Sequence, residues 1–398
     1  MKARCLFTGA FNFRACPPGE TFSKVSPFLA RLGITRVGRQ TDLDRIGIPV
    51  WSAYAPNSRA IVIAQGKGLD DIAAKTSATM EAVERSVATQ PACPGIEASS
   101  DDLARAGHAT DYLTALLAIN AQQMEASESV TWALADDLVK NAPIFVPYEA
   151  IHLDRTVVTP RFWISSDGLA SGNNWHEATL HGLLERIERD ACVLWDAGGL
   201  ARRYARRIDP NSIEDDEIRD MLSRIYSANF DLALFDVTSD LAVASVVALL
   251  RPKGDDVSLR HVDVTMGAGA ALYPNIAAAR AISEAVQSRM TFIAGARDDL
   301  SPDLFARVAD PVHLQSFQAR CTASLSELPA LPAHSTQDAL DLIVKQLVSR
   351  GVNRLYAIEL APKWLPASVV KVFAPQLEHP DGGRRIRFGS RAMSKSFI

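Results

Sequence analysis

Apolar residues recur at three- and four-residue spacing in three long segments, which begin near residues 70, 175 and 273. This spacing predicts amphipathic helices with one face in the core. The apolar stripes are Met80, Val83 and Val87 in the first helix and Leu180, Leu184, Ile187 and Ala191 in the second. Acidic residues begin where each stripe ends, so their carboxylates are expected to be partly desolvated. Such carboxylates need a metal ion, an arginine or hydrogen-bond donors.

Shorter apolar runs predict β-strands around these helices. They fall at residues 47–54, 59–64, 144–153, 160–173, 231–239, 242–252, 258–272, 355–360 and 369–375. The runs at 242–252 and 258–272 are expected to form a hairpin through residues 253–256. Further helical patterns cover 99–125, 302–308 and 336–350. The fold class is therefore α+β, with mixed sheets, packed helices and no low-complexity linker between separate domains.

The acidic faces carry a repeated motif, Glu-x-x-Glu-Arg. Its two copies and a related third segment are Glu81, Glu84 and Arg85; Glu185, Glu188 and Arg189; and Glu284, Gln287 and Arg289. Carboxylates three positions apart lie on one side of a helix and can share a divalent cation. Two such pairs brought together would hold magnesium and a polyphosphate. The alternative is a common surface pattern in which each arginine only relieves repulsion between its glutamates.

Each of these helices follows a strand and a glycine-rich loop, including the turn Gly66-Lys67-Gly68. The free N–H groups at a helix start can receive an anion. The chain therefore predicts three strand–loop–helix units around one nucleotide site. Familiar nucleotide and metal motifs are absent: the chain has no Walker A sequence, no complete Rossmann glycine set, no HExxH and no paired cysteines.

Composition narrows the class of protein. The 398 residues are 47% hydrophobic, and the net charge of -4 gives no general attraction for nucleic acid. Five dispersed cysteines are typical of reduced thiols. The first residues lack the apolar core of a signal peptide, and no apolar run is long enough to span a membrane. We expect a soluble, cytoplasmic protein with neither nucleic acid nor membrane as a partner.

The ordered motifs resemble those of the YcaO family over most of the chain. The matching segments are Ser77 with the first Glu-x-x-Glu-Arg, the stretch from Asp167 to Ala191, and the run Ser283 to Arg289. Within the second stretch, Asp167 stands where the family pattern has asparagine. The segments at 11–22 and 294–300 look most like the subgroup encoded with TfuA proteins.

The resemblance implies a YcaO-like fold and an ATP site with magnesium bound by glutamates. Carried over by position, the magnesium ligands would be Glu81, Glu84, Glu185 and Glu188. The ATP contacts would be Arg14, Ser77, Arg85, Asn173, Glu177, Arg189, Glu284, Gln287 and Arg289. Lys67 is a further candidate. On an ideal helix Arg289 points away from Glu284, so it reaches the site only if the helix ends or bends there. No single catalytic residue is implied.

The family chemistry activates a peptide-backbone amide with ATP. External sulfide as the nucleophile gives a thioamide, whereas a neighbouring Cys, Ser or Thr side chain gives an azoline. Azoline-forming members resemble one another in a proline-rich C-terminus, but this chain has no proline after Pro380. The resemblance therefore favours thioamide formation on a peptide or protein, with a TfuA-like partner. An azoline-forming cyclodehydratase, a nucleotide-binding accessory protein and a homodimer stay open.

The same reasoning divides the chain into three parts. Residues 1–54 are expected to be an N-terminal segment integral to the fold, and residues 55–382 a YcaO-like catalytic domain. Residues 383–398 form a basic tail. The tail is expected to be solvated or loosely docked, and its functional alternative is an arm that faces the nucleotide or an acidic partner.

Overall fold

The computed structural model describes residues 13–254, 259–295, 297–379 and 388–396. The helices are α1 (Pro18–Val25), α2 (Asp71–Ala88), α3 (Ser100–Arg105), α4 (Trp175–Ala197), α5 (Gly199–Tyr204), α6 (Asp216–Ser227), α7 (Pro274–Ala294), α8 (Asp303–Ala306), α9 (Pro311–Ser316), α10 (Thr336–Ser349) and α11 (Ser390–Ser396). The strands are β1 (Arg36–Arg39), β2 (Val50–Tyr54), β3 (Ile63–Lys67), β4 (Gly95–Ala98), β5 (Val130–Asp137), β6 (Ala142–Pro147), β7 (Leu169–Gly172), β8 (Arg207–Ile208), β9 (Phe230–Asp236), β10 (Ala244–Pro252), β11 (Thr265–Ala271), β12 (Cys321–Ala323), β13 (Tyr356–Glu359) and β14 (Ser368–Phe373).

These strands form three sheets. Their orders are β1-β2-β3, then β11-β10-β9-β8-β12, and then β4-β5-β13-β14-β7 with β6 also paired to β5. The pairings are antiparallel except for the parallel contact of β12 with β8. The predicted α+β class with mixed sheets is confirmed.

Three strand–helix units position the acidic helices: β3 with α2, β7 with α4, and β11 with α7. Glycine lets each strand touch its helix backbone, because a Cβ at Gly66 would lie 1.9 Å from the amide nitrogen of Ala78. A Cβ at Gly172 would lie 2.6 Å from the amide nitrogen of Ala178, and one at Gly267 would lie 2.2 Å from a carbonyl oxygen of α7. Only glycine fits at such a contact.

Capping fixes where two of these helices begin. The Asp70 side chain accepts a hydrogen bond from Ala73 N at the start of α2, and the Asn174 side chain accepts one from Glu177 N at the start of α4. Both caps satisfy amides that have no partner inside the helix. Helix α7 ends at Gly295, whose φ of 57° is left-handed. The predicted long helices are confirmed with these bounds.

Several predicted elements are wrong or shifted. The helical pattern at 99–125 yields only α3, because the chain turns at Gly107 with a φ of 81° and continues as irregular structure. The strand expected at 59–64 lies at Ile63–Lys67, so Gly66 and Lys67 belong to the strand and not to a turn. Strand β5 and helix α6 were not predicted. Strands β10 and β11 pair as expected, although a short 3-10 helix at His261–Asp263 precedes β11.

Both ends of the described chain pack on the body of the protein. Helix α1 contacts α2, and β1 and β2 share a sheet with β3. Helix α11 contacts α4. The domain limits at residues 54 and 382 stay predictions. No helix among the described residues is long and apolar enough to cross a membrane.

Candidate functional site

The acidic faces of α2 and α4 meet at the strand β7. Oε1 of Glu84 accepts hydrogen bonds from the Ser171 amide at 2.8 Å and the Ser171 hydroxyl at 2.7 Å. Glu185 accepts one from the Gly168 amide at 3.0 Å. The two predicted motifs are therefore brought to one strand, although they lie about a hundred residues apart in the chain.

The pKa values of these carboxylates are raised because the groups are buried close to one another. Burial raises the pKa of Glu84 to about 8, and the nearby charges of Glu81 and Glu185 act in the same direction, against the hydrogen bonds from Ser171. Burial also raises the pKa of Glu185 to about 7. The pKa of Glu188 is raised by burial and by the charge of Glu284. Carboxylates in such a cluster ionise easily only when a cation joins them.

The glutamates predicted to bind magnesium do not form a closed metal site in this structure. In the described ranges, no three acidic, His or Cys side chains form a group tight enough to hold a metal ion. One carboxylate oxygen of Glu81 accepts a hydrogen bond from the Arg85 guanidinium, and the other accepts one from the backbone amide of Gln65. Carboxylate oxygens have spare lone pairs, so these bonds leave room for a cation. The donor set, all carboxylate oxygen, fits magnesium.

Arginine and lysine surround the acidic cluster. Arg189 lies 3.6 Å from Glu185, and three glutamates hold its pKa well above the usual value although burial alone would lower it. Lys67, from β3, donates to Glu284 of α7. That contact and the charge of Arg189 hold the pKa of Glu284 below its usual value, against the effect of burial. The third unit therefore joins the other two, as predicted.

A second group of predicted residues lies at the start of α4. Arg14 contacts Glu177 at 2.8 Å, and Glu177 is 1% exposed. The amide of Asn173 donates to Glu177 at 3.1 Å. The carbonyl oxygen of Asn173 in turn accepts from Cys16 at 2.9 Å and from Thr21 at 3.0 Å. The N-terminal segment thus reaches the nucleotide-binding candidates, and Cys16 is a neighbour that the sequence did not indicate.

The other predicted ATP contacts are placed less directly. Arg289 donates to Asp44 at 2.9 Å and lies over the Phe230 ring, so its side chain is already engaged with residues outside the acidic cluster. Arg85 is buried and donates to the carbonyl of Ile63 as well as to Glu81. Ser77 and Gln287 are half-buried. The roles of these four residues stay predictions.

A buried charge cluster supports Glu185 and was missed. Arg186 is 1% exposed and lies 3.6 Å from Asp167. Lys371 of β14 is also buried, and burial lowers its pKa to about 8 against the opposing charges of Asp167 and Glu185. A lysine inside the otherwise apolar strand at 369–373 is the signal that could have found this cluster, because a buried ammonium needs acidic partners.

Comparison with known proteins decides the family. A family model described as YcaO cyclodehydratase, ATP- and Mg²⁺-binding, matches residues 65–378. The chain belongs to the YcaO family. The matched range contains twelve of the thirteen predicted site residues, all but Arg14. ATP and Mg²⁺ are therefore the ligands of this family, as the sequence predicted.

Relatives of this YcaO protein cover nearly its whole length. A protein of Rhizobium leguminosarum bv. trifolii, described as an uncharacterized protein in the tfuA 3′ region, is 38% identical over 391 residues, which is 96% of this chain and 93% of that one. YcaO from Methanopyrus kandleri, bound with AMPPCP and Mg²⁺, has a TM-score of 0.74 at 20% identity and 94% coverage of each chain. The fold is thus shared.

A larger structure has a similar fold. A heterocyclase in complex with substrate and cofactor has a TM-score of 0.77 at 21% identity, covering 92% of this chain. This chain spans only 53% of that heterocyclase. At 21% identity the similarity concerns the fold alone, and the rest of the heterocyclase chain is not matched by this protein.

Proposed function

We propose that this YcaO protein uses ATP and Mg²⁺ to convert a backbone amide of a peptide or protein into a thioamide. The observation that carries the proposal is the cluster of partly buried glutamates of α2 and α4, whose pKa values are raised toward neutrality. Such a cluster is electrostatically incomplete without a cation. The relative from Rhizobium leguminosarum bv. trifolii is described as a protein in the tfuA 3′ region, which supports thioamide chemistry and a TfuA-like partner.

The reaction has three steps. Sulfide adds to the carbonyl carbon of the amide, and the resulting oxyanion attacks the γ-phosphorus of ATP as ADP leaves. Loss of the S–H proton then forms the C=S bond while the C–O bond breaks, so inorganic phosphate departs with the original amide oxygen. Phosphorylation is needed because an amide oxygen is otherwise a poor leaving group. Magnesium, when bound, neutralises charge shared by the β- and γ-phosphates.

The residues of the chain have separate tasks in this proposal. The four glutamates of the two motifs, Glu81, Glu84, Glu185 and Glu188, hold the metal. Arg14, Asn173 and Glu177 hold the nucleotide beside the start of α4, where free amide groups favour an anion. Most of the rate acceleration then comes from positioning and electrostatic stabilisation, as is general for phosphoryl transfer.

Nucleotide binding tests the first half of the proposal. ATP should bind the wild type with magnesium, and removing magnesium with a chelator should greatly weaken binding. Glu188→Gln should lose the magnesium dependence. Glu217→Gln changes a half-buried glutamate of α6 that has no place in the site, and it should bind as the wild type does. Equal binding by wild type and Glu188→Gln would contradict the proposed metal site.

Product mass tests the second half. Wild type, ATP, sulfide, a TfuA-like protein and a candidate peptide should give a product in which sulfur replaces oxygen, with one inorganic phosphate per thioamide. The second candidate function is azoline formation, which the heterocyclase likeness favours. That reaction would remove water from the peptide and would need no sulfide. A nucleotide-binding accessory protein would give neither product.

A further inference from the structure

Asp167 is the residue at which the second matching stretch departs from the family pattern, and it adjoins a proposed metal ligand. It precedes Gly168, whose amide donates to Glu185 at 3.0 Å. The turn that carries Asp167 is tightly packed, because a Cβ at Gly168 would lie 2.3 Å from the carbonyl oxygen of Val372 and 3.1 Å from Cδ of Arg186. The carboxylate of Asp167 is therefore held in place beside the four glutamates without belonging to them.

Arg186 faces Asp167 from α4 and is withdrawn from water. It is 1% exposed, its Nη2 donates to the carbonyl of Glu378 at 2.6 Å, and its Nη1 lies 3.6 Å from Oδ2 of Asp167. In the part of the chain that the structure describes, neither Nη1 nor Nε of Arg186 has a hydrogen-bond acceptor. A buried guanidinium with too few acceptors is costly, so the charge of Asp167 stabilises it.

Lys371 approaches the same carboxylate from β14. It is 5% exposed, and its Nζ donates to the carbonyl of Ser165 at 2.7 Å. The hydroxyl of Ser165 accepts a hydrogen bond from the Asp167 amide at 3.0 Å, so one short turn joins the lysine to the aspartate. Nδ1 of His379 lies 3.9 Å from Oδ2 of Asp167. Asp167 thus has basic neighbours on α4, on β14 and on the segment that follows β14.

These charges are close enough to act on the neighbouring metal ligand. The charge of Asp167 raises the pKa of Glu185, whereas the charges of Arg189 and Arg186 lower it. Lys371 interacts in turn with the charges of Asp167 and Glu185. A second carboxylate beside Glu185 makes the electrostatic potential there more negative, which favours a divalent cation. The ammonium of Lys371 acts in the opposite direction.

We infer that Asp167 strengthens magnesium binding at Glu185 from outside the ligand set, and that Lys371 offsets the charge of Asp167 in the ligand-free protein. The inference rests on the proposed magnesium site. Residues that surround metal ligands without touching the metal change its affinity by about 10-fold or more when they are replaced. Asp167 and Lys371 are positioning residues in this sense, since both act through Glu185.

The two residues carry opposite charges and should therefore have opposite effects on magnesium. Mg²⁺ is added to the nucleotide-free protein at pH 7, and the melting temperature at each concentration gives both stability and Mg²⁺ affinity. We expect Asp167→Asn to weaken Mg²⁺ binding by about 3- to 30-fold and Lys371→Met to strengthen it by a similar factor. A proton carries half the charge of Mg²⁺, so proton competition at Glu185 reduces these shifts without reversing them.

Stability in the absence of Mg²⁺ gives the second half of the test. Each single variant leaves a buried charge without its partner and should melt below the wild type. The double variant, Asp167→Asn with Lys371→Met, should recover most of the melting temperature and most of the Mg²⁺ affinity. A merely structural role would weaken Mg²⁺ binding in both single variants.

Two control variants locate the effect. Glu185→Gln removes the adjacent ligand and should abolish most of the stabilisation by Mg²⁺, which assigns the binding to the acidic cluster. Asp111→Asn breaks another buried ion pair, in which Arg354 donates to Asp111 at 2.8 and 2.6 Å. It should lower the melting temperature and leave the Mg²⁺ affinity unchanged.

The possible results separate this inference from the proposed function. Weaker Mg²⁺ binding in both single variants, or no change in either, would overturn the inference while the magnesium site stands. A wild type that Mg²⁺ alone does not stabilise would also overturn it, whereas the proposed function falls only if ATP binding is independent of Mg²⁺ too. If Lys371→Met does not fold, Asp167→Asn decides alone because asparagine has the shape of aspartate, and Mg²⁺ binding as tight as in the wild type would overturn the inference.

Discussion

At the scale of single residues, the site stores electrostatic strain in its glutamates. The pKa of Glu84 is raised to about 8 in the folded protein and is ordinary in the unfolded chain. Its contribution to stability is therefore complete below about pH 4.5 and is lost as the pH rises through about 8. The ligand-free protein is therefore less stable at neutral and alkaline pH, because the carboxylates proposed to bind the metal lie close together.

A neutral substitution should reveal this strain. Without magnesium, Glu84→Gln should gain about 1–3 kcal/mol over wild type in the free energy of unfolding between about pH 5 and pH 8.5. Glutamine keeps an oxygen for the Ser171 donors but cannot ionise. Denaturant unfolding at several pH values measures the difference. The half-buried Glu128, whose pKa is lowered by the hydrogen bond from Arg161, serves as the control, because it does not titrate in this range. A difference independent of pH would contradict the predicted crowding.

Cys16 gives a second prediction at this scale. Its thiol is half-buried and donates to Asn173, which we place at the nucleotide. Bound Mg-ATP should therefore slow alkylation of Cys16 severalfold, and mass spectrometry of the labelled peptide measures the rate. Cys321 is exposed on β12 and should react at the same rate with or without nucleotide. Nucleotide-independent labelling of Cys16 would place ATP elsewhere.

At the scale of elements, close glycine contacts hold the acidic helices to their strands. Gly267→Ala would force the backbones of β11 and α7 apart, since its Cβ would lie 2.2 Å from a carbonyl oxygen. We expect a loss of about 1–3 kcal/mol in stability and weaker nucleotide binding, because Glu284 moves with α7. Gly38→Ala, whose Cβ would meet only the Arg36 side chain at 3.5 Å, should be nearly neutral. Thermal unfolding and ATP titration distinguish the two variants.

The sequence could predict those elements whose signal is local along the chain. Long periodic helices and the strands at their N-terminal side were predicted, because hydrophobic spacing is a local signal. The helix predicted at 99–125 was too long, because the turn at Gly107 outweighs the helix propensity of the residues after it. Lys371 was missed because its importance depends on which charges lie beside it after folding, and a single sequence does not record that.

At the scale of the whole molecule, the C-terminal helix is tied to the helix that carries the second motif. Arg391 donates to both oxygens of Asp190 at 2.8 and 2.9 Å, and Asp190 is fully buried. Glu378, also buried, accepts from the amides of Gly389 and Ala392 at 2.7 and 2.9 Å. The expectation of a solvated or loosely docked tail is therefore wrong for residues 388–394. Arg384, Arg385 and Arg387 lie outside the described residues, and so does the side chain of Lys395.

Removing this helix should destabilise the protein more than its length suggests. Ending the chain at residue 387 would leave the buried Asp190 without its arginine, and such a loss costs about 3–5 kcal/mol. The melting temperature should fall, and ATP affinity should fall with it because Glu188 and Asp190 share a helix. Asp190→Asn should restore part of the stability in the shortened chain, since the uncompensated charge is gone. It should destabilise the full-length protein, because Arg391 then keeps only Asp240 of its two carboxylate partners. An unchanged melting temperature after truncation, or no rescue by Asp190→Asn, would show that the ion pair contributes little.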